Sequence, residues 1–211
     1  MVRPVDVLTG LLLDGEMYPA MESLISEKDE FAVITLDIDG LLVLNQDFGH
    51  EAGDAVFRLI AKHICALFKP PCLGFRNQAD QFSVLMPGRG KEDAFLKAEE
   101  LRKLIFEEKL DYTSKEGKPL SQSVSIGVSS YPDDGSRPAD VFRRANSALA
   151  RAKKNGRNTV CLAREEKLLP KTSHYTQTQL EKLFLLSEEV GIGESSLLRE
   201  ALDDLLKKHD V

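Results

Sequence analysis

The sequence predicts an α/β fold, a central sheet flanked by helices, with a small helical module appended at its C-terminal end. Two observations lead there. Short β-branched apolar runs alternate with stretches of helical periodicity up to Ala163. The alternation then stops at the charged run Arg164-Glu-Glu-Lys167 and Pro170. The expected units are therefore residues 1–165 and 166–211, and a chain of 211 residues can bury one sizeable core beside such an appendage.

The first predicted strand is Phe31-Ala-Val-Ile-Thr-Leu-Asp-Ile38, a buried-type run that turns acidic and should deliver Asp37 and Asp39 to a site at its tip. Val56, Phe57, Ile60, Ile64 and Leu67 recur at helical spacing over Gly53–Phe68, and a second helix is expected from about Glu92 to Glu107. Between them, Leu73–Arg76 and Phe82–Met86 read as a hairpin whose polar tip, Asn77–Gln81, carries Asp80. A strand at Ser123–Ser129, a turn at Pro132–Pro138, a helix from Ala139 to about Asn155 and a strand at Thr159–Ala163 complete the series.

Composition narrows the class. Hydrophobic residues at 42% and charged residues at 29% describe a folded globular chain rather than a disordered one. No apolar run reaches the roughly 18 residues of a membrane span, and the first residues lack a secretory pattern, so the expectation is a cytoplasmic protein with no membrane partner. Cys65, Cys72 and Cys161 lack metal-ligand spacing and read as structural thiols. A net charge of −6 gives no general attraction to nucleic acid, so any such binding must come from a local patch.

Several segments, in order, carry a more specific resemblance. Asp6-Val-Leu-Thr-Gly-Leu11, Leu36-Asp-Ile-Asp39, Asn45 with Gly49-His50 and Gly53-Asp54, and Ala152-Lys-Lys-Asn-Gly-Arg-Asn158 together resemble the GGDEF family of diguanylate cyclases over residues 5–163. That family condenses two GTP molecules into cyclic di-GMP on a palm-like fold. The resemblance implies that Asp37, Asp80 and the Ile38 carbonyl hold Mg²⁺, which neutralises the triphosphate for in-line attack by a 3′-hydroxyl. It further implies that Asn45 and Asp54 bind the guanine edge and that Lys153 and Arg157 hold the phosphates.

The signature hairpin departs from the family. It reads Gln78-Ala79-Asp80-Gln81-Phe82, so two glycines are replaced by residues whose Cβ atoms lie where a phosphate should approach. Gln81 keeps the shape of a carboxylate without its charge or proton-accepting ability, leaving Asp80 and Gln81 as remnants of a degenerate active site. Leu42 stands where the family has a phosphate-contacting lysine, and Gln46 where an acid commonly follows the asparagine. The family's product clamp, an arginine and an aspartate separated by two residues, reads Lys69-Pro-Pro-Cys72, which removes bidentate recognition.

The tail is read as a short polar strand from Lys171 to Thr176, a helix from about Thr178 to Val190, a Gly-Ile-Gly turn and a second helix. Leu180, Leu183 and Leu186, then Leu197, Leu198, Ala201, Leu202, Leu205 and Leu206, offer more apolar surface than 40 residues can bury alone. Residues 187–202 resemble ribbon-helix-helix proteins, which form intertwined homodimers and lay a two-stranded ribbon in the DNA major groove. The resemblance implies Thr172 and His174 facing bases and Ser195 near a phosphate. Against DNA, residues 171–211 hold five Lys and Arg but eight Asp and Glu. The alternative to DNA binding is that the tail simply dimerises the chain or packs on the first unit, and both readings stay open.

Three readings stay open at this point. The chain is a DNA-binding transcription regulator that responds to a guanine nucleotide, GTP or cyclic di-GMP, through a degenerate and inactive GGDEF domain. It is a weakly active diguanylate cyclase dimerised by its tail. Or it is a structural pseudo-enzyme that serves as an interaction platform.

Overall fold

The computed structural model describes residues 3–77, 80–164, 172–190 and 193–208. The chain divides into two compact units, residues 1–166 and 167–211.

The first unit is a six-stranded sheet in the order β1-β3-β4-β2-β5-β6. The strands are β1 (Leu12–Leu13), β2 (Phe31–Ile38), β3 (Leu73–Arg76), β4 (Gln81–Pro87), β5 (Val124–Tyr131) and β6 (Val160–Leu162). β2 lies antiparallel between β4 and β5, while β1 on β3 and β6 on β5 are parallel. Every residue of β2 is buried, as its unbroken apolar run predicts for a central strand covered on both faces.

The period of two sorts those residues between two cores. Ala32, Ile34, Leu36 and Ile38 pack with residues of α3 (His50–Leu67) and α4 (Lys91–Glu107). Phe31 and Val33 pack on the other face with residues of α1 (Met17–Glu27) and α5 (Pro138–Lys154). Asp37 shares the parity of Phe31 and Val33, so it emerges on the α5 side.

Helix α5 starts with Pro138 in its first turn after extended Arg137, and ends with Arg151, Lys153 and Lys154, cations that suit the negative end of the helix dipole. It sits so close on β5 that a Cβ at Gly127 would collide with the backbone of Ala145 and Leu149. Its last turn is thereby fixed over the end of β2.

Two helices escape the periodicity reading, α1 and α2 (Leu41–Phe48). Helix α2 is eight residues long and buries only Leu44, too little for a clear stripe. It turns into α3 at Gly49, whose φ of 87° suits glycine.

The second unit contains α6 (Gln177–Val190) and α7 (Glu194–Lys208), which contact each other. Thr176 and Gln179 cap α6 reciprocally: the Thr176 amide donates to Gln179 Oε1 at 2.9 Å and the Gln179 amide to Thr176 Oγ1 at 3.3 Å. The expected polar strand is corrected in part. Residues 172–176 form no strand, since strand pairing needs a neighbour and none occurs among the described residues, and Lys171 lies outside them. Among the described residues no helix is long and apolar enough to cross a membrane.

Candidate functional site

The end of β2 gathers the charged groups. The Lys153 Nζ donates to Asp37 Oδ1 at 2.7 Å, with the Asp37 side chain 5% exposed and the lysine 38%. Burial pushes the Asp37 carboxyl above its ordinary value; nearby Asp80 and Asp39 add to the rise and Lys153 opposes it. Asp80 thus lies near enough to be felt by Asp37, at the hairpin tip that the Asn77 amide closes on the Gln81 carbonyl at 2.9 Å. Gln78 and Ala79 lie outside the described residues. Gln81 pairs directly with Asp37 across β4 and β2, so the neutral amide occupies the row of the site where the family carries an acid.

Asp39 departs from expectation. The sequence pairs it with Asp37 as a carboxylate delivered to the site, but both of its oxygens are engaged: Ser125 Oγ donates to Oδ1 at 2.7 Å, and Ser123 Oγ and the Asn158 amide donate to Oδ2 at 2.7 and 3.0 Å. It braces β2 to β5 and to the loop after α5. The signal was present in the alternating serines 123 and 125, which face the end of β2 once the strands pair antiparallel.

That loop presents Arg157. Gly156, Arg157 and Asn158 have φ of 104°, 65° and 43°, and the left-handed conformation costs the two non-glycine residues on the order of 1 kcal/mol each. Arg157 is exposed at its tip, next to the turn carrying Lys153. Lys153 and Arg157 therefore form one basic arm at the C-terminal end of α5.

On the far side, α2 and α3 meet at Gly53, where an added Cβ would collide with the Asn45 amide. Asn45 Oδ1 is buried without a hydrogen-bond partner among the described residues and lies on the side of Gly53 where a Cβ would point. Asp54, one residue beyond Gly53, is half-buried. Leu42, at the family's lysine position, is 72% exposed and apolar.

The donor chemistry fits one Mg²⁺. No group of three or more His, Cys, Asp or Glu side chains suited to a metal occurs among the described residues. Mg²⁺ is commonly held by one or two carboxylates with the remaining ligands coming from phosphate and water, and Asp37 and Asp80 are carboxylates of that number and kind.

The remaining family positions have structural duties. Asp6 accepts from the Thr9 amide and hydroxyl at 2.9 and 2.6 Å and lies 3.6 Å from Arg76, the last strand residue before the hairpin tip. Burial pushes its carboxyl up, but Thr9 and Arg76 outweigh that and hold it below its ordinary value. At the lost product clamp, Lys69 Nζ donates to the Cys65 carbonyl at 2.9 Å and caps α3, while burial pushes the Cys72 thiol up, so no charged pair is presented there. A cleft of about 530 Å³ between α2 and the turn at Ser114–Lys118, lined by Gln46, Phe48, Lys115 and Lys118 among others, contains none of the nucleotide-site positions.

In the tail, Thr172 and His174 are exposed and Ser195 is exposed in the first turn of α7. None of the α6 residues is buried; Phe184 and Leu185 are 53% and 66% exposed, and Leu202 and Leu205 on α7 are 54% and 52%.

Known proteins match along the same lines. Residues 4–159 match the family model described as diguanylate cyclase, GGDEF domain, and residues 168–210 match a ribbon-helix-helix domain. Diguanylate cyclase A of Treponema denticola is 33% identical over 145 residues, 69% of this chain and 38% of that protein. Response regulator PleD of Caulobacter vibrioides is 31% identical over 160 residues, 74% of this chain and 35% of that one. The chain thus spans little more than a third of these relatives. The crystal structure of the GGDEF domain of DgcB from Caulobacter crescentus, in complex with c-di-GMP, superposes with a TM-score of 0.67 at 26% identity, covering 77% of this chain and 99% of that domain. The chain belongs to the GGDEF-domain family of diguanylate cyclases and carries a C-terminal ribbon-helix-helix domain.

Proposed function

We propose that the first unit binds a guanine nucleotide with Mg²⁺ but cyclises it poorly or not at all, and that the tail joins two copies and contacts DNA, making the chain a nucleotide-responsive regulator. The observation that carries this is the Lys153–Asp37 contact, which brings a phosphate-type cation and a metal-type carboxylate together at the end of β2. Asp37, Asp80 and the Ile38 carbonyl would hold the metal, which would supply charge neutralisation of the triphosphate. Lys153 would transfer its hydrogen bond from Asp37 to a phosphate oxygen, joined by Arg157. Asn45 Oδ1 and Asp54 would accept from the guanine edge.

What argues against turnover is Gln81, which cannot take the proton of an attacking 3′-hydroxyl. The Lys69 and Cys72 positions argue against product capture at the family's clamp, so the ligand belongs at the Asp37 end. In the tail, Thr172, His174 and Ser195 are the base- and phosphate-facing candidates, and the homodimer would cover the apolar faces of α6 and α7. A second reading, a weakly active cyclase held as a dimer by its tail, draws on the retention of Asp37, Asp80, Lys153 and Arg157.

The test is titration of the purified chain with GTP, with and without Mg²⁺, alongside product chromatography and a DNA-shift assay. The expected result is Mg²⁺-dependent GTP binding that disappears in Asp37→Ala, no cyclic di-GMP, and a DNA shift altered by nucleotide. Turnover above background would replace the regulator with the cyclase. Absence of any GTP binding would leave an interaction platform.

A further inference from the structure

The basic arm depends on a residue outside every motif so far described. Arg102, on α4, has a side chain only 16% exposed. One edge of its guanidinium is held by Glu99, with Nη2 at 2.9 Å and Nε at 3.2 Å from Oε2, and its Nη1 donates to Asn158 Oδ1 at 2.9 Å. Asn158 is thereby gripped from two directions, its side chain by α4 and its amide by Asp39.

Asn158 follows Arg157 directly, and both residues hold left-handed backbone that they would leave if released. The Arg157 amide donates to the Ala152 carbonyl at 3.1 Å, and the Thr159 carbonyl accepts from Ile126 at 3.0 Å. The loop is therefore held by backbone bonds at Arg157 and Thr159, and between them by Asn158. We propose that Arg102 is a positioning residue for the nucleotide phosphates: by fixing Asn158 it holds the loop in the conformation that presents Arg157 beside Lys153. The proposal rests on the nucleotide reading above, and its geometry is independent of it.

The fork explains the residue type. Arg presents donors in fixed directions and so engages Glu99 and Asn158 at once, whereas Lys offers a single point charge that satisfies one partner at a time. Arg102→Lys should therefore behave like Arg102→Met at the loop while retaining the charge.

Two measurements on the full chain test this. In the absence of ligand, hydrogen exchange of the Asn158 amide, protected by Asp39, should quicken by about tenfold or more in Arg102→Met and in Arg102→Lys, with exchange in β2 unchanged. Unchanged protection at Asn158 overturns the proposal, whatever the chain binds. In the presence of Mg²⁺, Arg102→Met should weaken GTP by about tenfold and leave guanosine unaffected, and it should add no further loss in an Arg157→Ala background. Equal losses for GTP and guanosine, or additive losses in the double variant, would mean that Arg102 only stabilises the fold and would overturn it. A wild-type chain that binds GTP no better than guanosine refutes the nucleotide reading instead, and the exchange measurement still decides the role of Arg102 in the loop.

Discussion

Helices α3 and α6 are both amphipathic and both rich in large apolar residues, yet they end in opposite situations. Nine residues of α3, from Ala52 to Ile64, are buried against the sheet and α4, whereas α6 buries none. Periodicity says that a face must be covered but not by what. For α3 the cover is the chain's own sheet. For α6 no buried residue occurs among the described ones, and Leu202 and Leu205 of α7 are half exposed, so the cover that their apolar faces call for lies outside the described contacts. The first unit thus covers its own helical faces, and the second is where the proposed dimer would act.

The sharpest way to break that contrast is in the first unit. Gly127→Val puts a branched side chain into the backbone of α5 and should cost about 3 kcal/mol or more, removing the first unit's cooperative thermal transition. A near-normal transition in calorimetry would mean that α5 is not seated as tightly as the geometry requires.

The tail should respond in the opposite manner. Leu202→Glu places a charge on the exposed apolar face of α7. Sedimentation should show a shift from dimer to monomer, while the first unit's stability changes by less than about 0.5 kcal/mol. Retention of the dimer would move the association surface elsewhere.

The smallest effect is electrostatic and confined to the first unit. The hydrogen bond from Lys62 at 2.8 Å holds the Glu108 carboxyl below its ordinary value; burial opposes this, and His63 at 2.7 Å adds to it. A carboxyl with a lower value in the folded state binds fewer protons there than in the unfolded chain. Its contribution is present above the ordinary Glu value of about 4.3 and is lost as pH falls through the folded value. Glu108 is a third exposed, so the contribution is small. Glu108→Gln should lose less stability between about pH 5 and 3 than the native chain, and parallel acid profiles would contradict the assignment.

Much of this was legible in the sequence, for identifiable reasons. β2 carries an unbroken apolar run, and α3, α4, β5 and α5 carry alternating or helical patterns, so their expected and observed bounds agree to within a few residues. The short α2 was not, because one buried leucine in eight residues makes no stripe. In the site, Asp37 and Lys153 were identified from motif residues, but nothing in the local sequence says that they touch. That follows from α5 lying over β2. Asp39 looked like a twin of Asp37 because strand-end carboxylates look alike, and only the facing serines on β5 separate their duties. Arg102 was invisible for the same reason, since its partner lies on a loop that folding alone brings to α4.

The direction of α5 has a consequence for the conditions under which the site would work. Many phosphate sites lie at helix N-termini, where backbone amides and the positive end of the dipole do the holding. In the proposed site Lys153 lies at a helix C-terminus and Arg157 just beyond it, so the dipole would oppose an anion and the work would fall to the two side chains. Charges on flexible, partly exposed stems are readily screened by dissolved ions. Nucleotide occupancy should therefore track ionic strength closely, which would make the chain as much a gauge of the salt around it as of the nucleotide.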